Sequence, residues 1–214
     1  MPGTTRLLTA AALLLCLTSC TGGPGPVPSA GTSPPALSDQ QLSDVEHQLV
    51  QDVIADGHDP AGPPVLTYRS GQDVDAIWPT TDGYLCVGKR NAMGRLRFCL
   101  TDPFPAAPAP HLEIADGPTP TRDGFVTVFL AGGEDVRDLT CGGARAALRR
   151  VGRFRARATD LAVYTYVTPW VPHGILQAEV VRAGVPATEQ VTLDSFDIRR
   201  DWVRMCGSDP LPHP

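Results

Sequence analysis

Arg145, Arg149, Arg150, Arg153, Arg155 and Arg157 lie between Asp138 and Asp160 with no acidic residue among them. A guanidinium presents a planar fork of donors that matches phosphate and carboxylate oxygens, so this tract is the candidate site for an anion or an acidic partner. Side chains alternate faces along a strand, which puts Arg153, Arg155 and Arg157 on one face if the segment is extended. Lys89, Arg90, Arg95 and Arg97 form a second basic cluster around a predicted turn. Two plainer roles compete with binding. The charges would keep an exposed sheet edge from pairing with another chain, or they would be spent on salt bridges to the many aspartates.

Catalysis has less to draw on. A hydrolase or transpeptidase needs a nucleophile beside a base, or a metal with its ligands. The five histidines are His47, His58, His111, His173 and His213, and none belongs to an H-E-x-x-H pair. The chain also has no G-x-S-x-G elbow, S-x-x-K pair, Walker loop or G-x-G-x-x-G turn. His58-Asp59 with Ser70, and His111 with Glu113 on one strand face, come nearest to a site. The first reads more simply as a loop turn and the second as a solvated strand face. No catalytic residue, metal ligand or cofactor is assigned, although Ser, His and Asp assembled only in space remain an alternative. Tyr164 and Tyr166 share a strand face, with Trp170 just beyond. Such rings suit a sugar or a peptide, but core packing is their commoner fate, as it is for Trp78 and Trp202.

Residues 7–17 form an apolar run after the single basic residue Arg6. That is shorter than the roughly 20 residues of a spanning helix and has the length of a secretory signal. The run ends in Leu17-Thr18-Ser19-Cys20, which resembles the lipobox of bacterial lipoproteins. The resemblance implies that residues 1–19 are a signal peptide that is removed. It also implies that the Cys20 thiol takes a diacylglyceryl group, so that membrane lipid holds the protein on the extracytoplasmic side of the cell membrane. It covers only the start of the chain. Residues 20–37 follow as an uncharged tract of Gly, Pro, Ser and Thr that cannot build a core. This tether spans about 23 Å as coil and about 50 Å as polyproline II. More than one acyl chain makes such an anchor firm.

Six cysteines occur. Cys16 leaves with the signal and Cys20 carries lipid, so Cys86, Cys99, Cys141 and Cys206 remain for an oxidising compartment. Strands at 84–89 and 95–100, folded at residues 91–94, set Cys86 opposite Cys99. That pairing leaves Cys141 with Cys206. The net charge of −5 becomes more negative once Arg6 is removed, which argues against nucleic acid as a partner. Of the 18 basic residues only Lys89 is lysine. With the abundant Ala, Gly and Pro, this bias suggests a high-G+C genome, and the expected source is a high-G+C Gram-positive bacterium.

The elements that must position these residues are mostly strands. An amphipathic helix opens the domain at residue 38, where Ser38 and Gln41 form a capping box and Leu42, Val45, Leu49 and Val53 follow helical spacing. Strands are then expected at 65–69, 74–78, 84–89, 95–100, 111–114, 125–130, 136–141, 153–158, 162–168, 175–181 and 189–196. Residues 144–151 fit one face of a short helix but are barely long enough for one, and helix and strand both remain open there. The tracts beginning at Asp82 and Asp123 look alike and suggest two half-repeats meeting near 102–122. The expectation is a mainly β domain over 38–214, an antiparallel β-sandwich or barrel-like fold. Its expected role is an envelope binding or accessory interaction module, with an envelope protein or anionic wall polymer as partner. An envelope hydrolase and a small solute-binding lipoprotein are the alternatives.

Overall fold

Several strands of this chain read as unbroken apolar runs rather than as alternating ones, and the reason is that both of their faces are covered. The computed structural model describes residues 35–91, 94–100, 111–145, 147–193 and 202–207. In chain order its elements are α1 (Asp39–Ile54), β1 (Val65–Ser70), β2 (Asp73–Pro79), β3 (Leu85–Asn91), β4 (Gly94–Cys99), β5 (His111–Thr121) and β6 (Gly124–Gly132). They continue as β7 (Glu134–Cys141), β8 (Ala144–Arg145), β9 (Ala147–Ala156), β10 (Thr159–Thr168), β11 (Val171–Arg182), β12 (Val185–Leu193) and β13 (Val203–Met205). The fold is mainly β with one helix among the described residues. The signal segment, Cys20, the tether up to residue 34, residues 102–110, Phe196 and His213 lie outside those residues.

Three sheets form, with strand orders β1-β2-β3-β4, β5-β6-β10-β9 and β12-β11-β7-β8. Pairing is antiparallel throughout except that β13 joins β11 in parallel. Odd and even residues of the same strands feed different cores. Val126, Val128 and Leu130 of β6, with Leu161 and Val163 of β10, meet Ile77, Leu85 and Val87 of the first sheet. Phe129 and Ala131 of β6, with Ala162, Tyr164 and Tyr166 of β10, turn the other way. They meet Leu139, Leu176, Ala178, Val180 and Leu193 of the third sheet. The far side of the first sheet presents Val74, Ala76 and Trp78 to Leu42, Val45, Leu49 and Val53 of α1. Helix, first sheet, second sheet and third sheet thus share three successive cores.

Local chemistry explains the joins. Ser38 accepts a bond from the Gln41 backbone while the Gln41 side chain bonds back to the Ser38 N–H, so α1 starts with both donors satisfied. Arg95 of β4 reaches Asp52 of α1 at 3.2 Å, and Arg97 reaches Asp56, just past the helix end, at 2.9 Å. Gly88 leaves room for the Trp78 ring, since a Cβ there would sit 3.0 Å from it. The two look-alike tracts both have a glycine of positive φ at their second residue, 91° at Gly83 and 128° at Gly124, and each leads into a buried strand.

Two segments refine the expectation. The tract that fitted either a short helix or a strand is strand where it is described, with Ala144–Arg145 as β8 and residues 147–151 as the start of β9. A run this short gains little from helix formation, whereas β8 pairs with β7 and β9 pairs with β10 in an extended ladder. Strand β5 continues past Ile114 to Thr121 despite Pro118 and Pro120. It is an edge strand, and its register against β6 shifts twice, between Ile114 and Asp116 and again between Asp116 and Thr119, so a missing N–H is tolerated.

Both disulfides form as expected. Cys86 and Cys99 are direct partners in the β3–β4 register. Cys141 and Cys206 close a separation of 65 residues and join the end of β7 to the short β13 segment. Replacing Cys141 and Cys206 by serine is expected to cost about 4 kcal/mol, and replacing Cys86 and Cys99 about 3 kcal/mol. Denaturant midpoints would measure both, and unchanged midpoints would count against the bonds. Phe129→Ala, at a fully buried position, is expected to cost about 3–5 kcal/mol in the same measurement.

Candidate anion-binding face

Strand β9 carries most of the arginine tract and forms one edge of the second sheet. Its register against β10 pairs Gly152 with Val163 and then Arg150 with Tyr164, so Val151 is a bulge. Cross-strand partners share a face. Arg153 lies opposite Ala162, Arg150 opposite Tyr164 and Arg155 opposite Asp160. Ala162 and Tyr164 belong to the core against the third sheet, so Arg150, Arg153 and Arg155 all lie on that side. Without the bulge Arg150 and Arg153, three residues apart, would fall on opposite faces. Arg149, opposite Thr165, lies on the side of the first sheet.

Two cavities flank this edge. One of about 550 Å³ is lined by Glu134, Arg150, Arg153, Arg155 and Asp160. The other, of about 560 Å³, is lined by Tyr68, Arg69, Asp123, Arg149, Arg150 and Thr165. The carboxylates here are partly committed. Glu134 accepts from Arg182 Nε at 2.7 Å and Asp123 accepts from the Tyr68 hydroxyl at 2.8 Å.

The six arginines divide. Arg145 pairs with Asp138 at 2.7 Å. Arg157 does not extend the strand face but sits in the β9–β10 turn at φ 53°, its guanidinium over Gly83. Arg149, Arg150, Arg153 and Arg155 are exposed and make no ion pair with any carboxylate among the described residues. Salt bridging therefore accounts for one member of the tract and not for these four. The second basic cluster is dispersed. Arg95 is taken by Asp52 of α1 and Arg97 by Asp56 just beyond it, and Lys89 is buried.

The histidine candidates fare unequally. His58 does not meet Ser70, which ends β1 opposite Asp73. Its Nδ1 lies 3.0 Å from Asp82 Oδ2 instead, and its ring meets the edge of Tyr84. A bond from the Thr80 hydroxyl, reinforced by His58, holds the Asp82 carboxyl below the usual carboxylate range. A cavity of about 340 Å³ beside the pair is lined by Asp56, His58, Tyr84, Arg97 and Cys99. Cys99 is disulfide-bonded, so the described lining carries no free thiol or serine hydroxyl. Glu113 lies on β5, while the His111 side chain and His213 lie outside what is described. His173 holds β13 through its carbonyl, which accepts the Cys206 N–H at 2.8 Å.

The aromatic row is core. Tyr164 donates to Asp135 at 2.7 Å, and burial pushes the Tyr166 hydroxyl up to about 12. Trp170 lies beneath the Arg204 guanidinium, 5.1 Å from its ring centroid. Trp78 is fully buried, as expected, but Trp202 is 54% exposed beside Phe125.

One cluster escaped sequence reading. Lys89 Nζ lies 2.6 Å from Asp116 Oδ2 and donates to Thr119 Oγ1 at 2.6 Å. Asp75 stands directly opposite Lys89 in the β2–β3 register. Burial pushes the Asp75 carboxyl up to about 6, with Lys89 opposing and Asp116 and Asp73 adding to the rise. The signal was present in the composition, since Lys89 is the sole lysine.

No protein-family model matches the chain, and no curated protein or solved structure matches it. The site is therefore read from its own chemistry.

Proposed function

We propose that the protein is a lipid-anchored extracytoplasmic binding module that takes an anionic wall polymer along the β9 edge. The observation that carries this reading is the set of four exposed arginines, Arg149, Arg150, Arg153 and Arg155, without carboxylate partners between two clefts. Residues two apart on a strand stand about 6.6 Å from one another, so Arg153 and Arg155 suit successive charges of an extended polyanion. Charge-assisted bonds from a guanidinium fork are the strong kind, and the ligand would displace only water from these side chains. A tether at residues 20–37 and an anchor at Cys20 would keep the face near the envelope.

Titration of the domain with poly(glycerol phosphate) and with neutral dextran tests the reading. Binding is expected only for the polyanion, weakening as salt rises. Replacing the four arginines by serine is expected to lower affinity by about tenfold or more, since one lost charged hydrogen bond is worth about 1.5–3 kcal/mol. Equal affinity of the variant would move the site elsewhere.

The His58–Asp82 bond favours a second reading, an envelope hydrolase in which His58 activates water. It predicts that His58→Ala abolishes a turnover that the four-arginine variant retains. For the anchor, Cys20→Ala is expected to move the protein from the membrane fraction to the soluble one. A variant that still carries lipid there would overturn the lipobox reading.

A further inference from the structure

Lys89 is the only lysine in a chain whose other basic residues are all arginine, and among the described residues it is the one basic side chain that the fold buries. A cation needed only to balance a carboxylate would be served equally by arginine, which has more donors and weaker hydration. Lysine differs in one chemical respect: its amine can give up a proton and become a nucleophile. The geometry supplies what that amine would attack. Its Nζ is held 2.6 Å from one oxygen of Asp116 by a contact in which both side chains are about nine-tenths buried. The carboxyl carbon carrying that oxygen is therefore adjacent to the nitrogen. Thr119 Oγ1 accepts from the same nitrogen at 2.6 Å and fixes its direction. A second carboxyl, that of Asp75, enters from the neighbouring strand opposite Lys89. Ile77 and Val87, two positions along the same strand faces, belong to the apolar core beside the cluster.

We propose that Lys89 and Asp116 become joined by an intramolecular isopeptide bond, linking β3 of the first sheet to β5 of the second, with Asp75 as the proton carrier. The ion pair already holds every atom required. Transfer of one proton from ammonium to carboxylate across this contact gives the neutral amine and acid that react. Nζ then bonds to the Asp116 carboxyl carbon. The protonated Asp75 carboxyl gives its proton to the departing hydroxyl as the C–O bond breaks, and its carboxylate takes one from the nitrogen. One amide forms, one water leaves, and no oxidant, metal or external reactant takes part. The raised Asp75 titration point is consistent with that role, because the group must carry a proton near neutral pH.

Intact mass measurement on the denatured, reduced domain decides the matter. The expected mass is lower than that of the sequence by one water, and proteolysis should yield a branched peptide containing both Lys89 and Asp116. Lys89→Arg and Asp116→Ala should restore the full mass. Asp75→Asn, judged folded by circular dichroism, should leave most of the chain uncrosslinked. A full-mass wild-type chain whose Lys89 amine reacts with acetic anhydride after denaturation would overturn the proposal. Succinimide formation at Asp116-Gly117 also removes one water. It would leave Lys89 reactive and would persist in Lys89→Arg, and that outcome overturns the proposal as well.

Discussion

The requirement on which the rest of the structure depends is that the second sheet has apolar neighbours on both faces. The buried apolar residues at the centre of β6 and β10 divide between two cores, with Val126, Val128, Leu130, Leu161 and Val163 on one side and Phe129, Ala131, Ala162, Tyr164 and Tyr166 on the other. A slip of one residue would exchange the two sets, placing the Phe129 ring where a valine-sized space exists. Interiors pack densely enough that such an exchange is not absorbed locally. The turn entering β6 has equally little freedom: a Cβ on Gly124 would collide with the Thr168 carbonyl next to it.

Commitment of the centre leaves the edges as the places where polar chemistry can stand. The second sheet ends in β5 on one side and β9 on the other. Strand β5 carries prolines and two register shifts, which disrupt the regular ladder that another strand would need. Strand β9 carries arginines and the Val151 bulge. Charge on an edge keeps chains apart, and that alone would explain some arginine here. It does not explain why the bulge turns Arg150 to the same side as Arg153 and Arg155, nor why clefts lie on either side of the strand. Protection and the proposed binding are compatible uses of one edge, because a polyanion would satisfy the guanidinium groups that repel another copy of the strand.

What the sequence made legible was local. The β3–β4 hairpin with Cys86 opposite Cys99 was readable because pairing about a short turn is simple geometry, and the second disulfide followed by elimination. The Ser38 capping box and the spacing of Leu42, Val45, Leu49 and Val53 likewise carried their own signal. Residues 144–151 stayed open between helix and strand because the break between β8 and β9 and the bulge at Val151 interrupt the period-two pattern. The His58–Asp82 contact, across 24 residues, and the Lys89–Asp116 contact join segments that only the stacking of layers brings together. Arg157 looked like a continuation of the strand face, and the turn at that residue was not readable from its neighbours.

The Lys89 cluster also answers a question that apolar packing leaves open. Two twisted sheets with small aliphatic inner faces can settle at several offsets of similar energy, because dispersion contacts between Val, Leu and Ala are not directional. A buried cation is different, since it costs several kcal/mol unless a carboxylate meets it in good geometry. Lys89 projects from the first sheet, and Asp116 and Thr119 wait on β5 of the second, so only one offset satisfies all three groups. The polar cluster therefore specifies which alignment of the sheets is native, while the valines and leucines beside it supply the attraction. That alignment in turn sets the width of the cleft between β1 and β9, into which Arg69 comes from one sheet and Arg149 from the other. The geometry of the exposed arginine face is thus determined inside the core, by the Lys89–Asp116 contact.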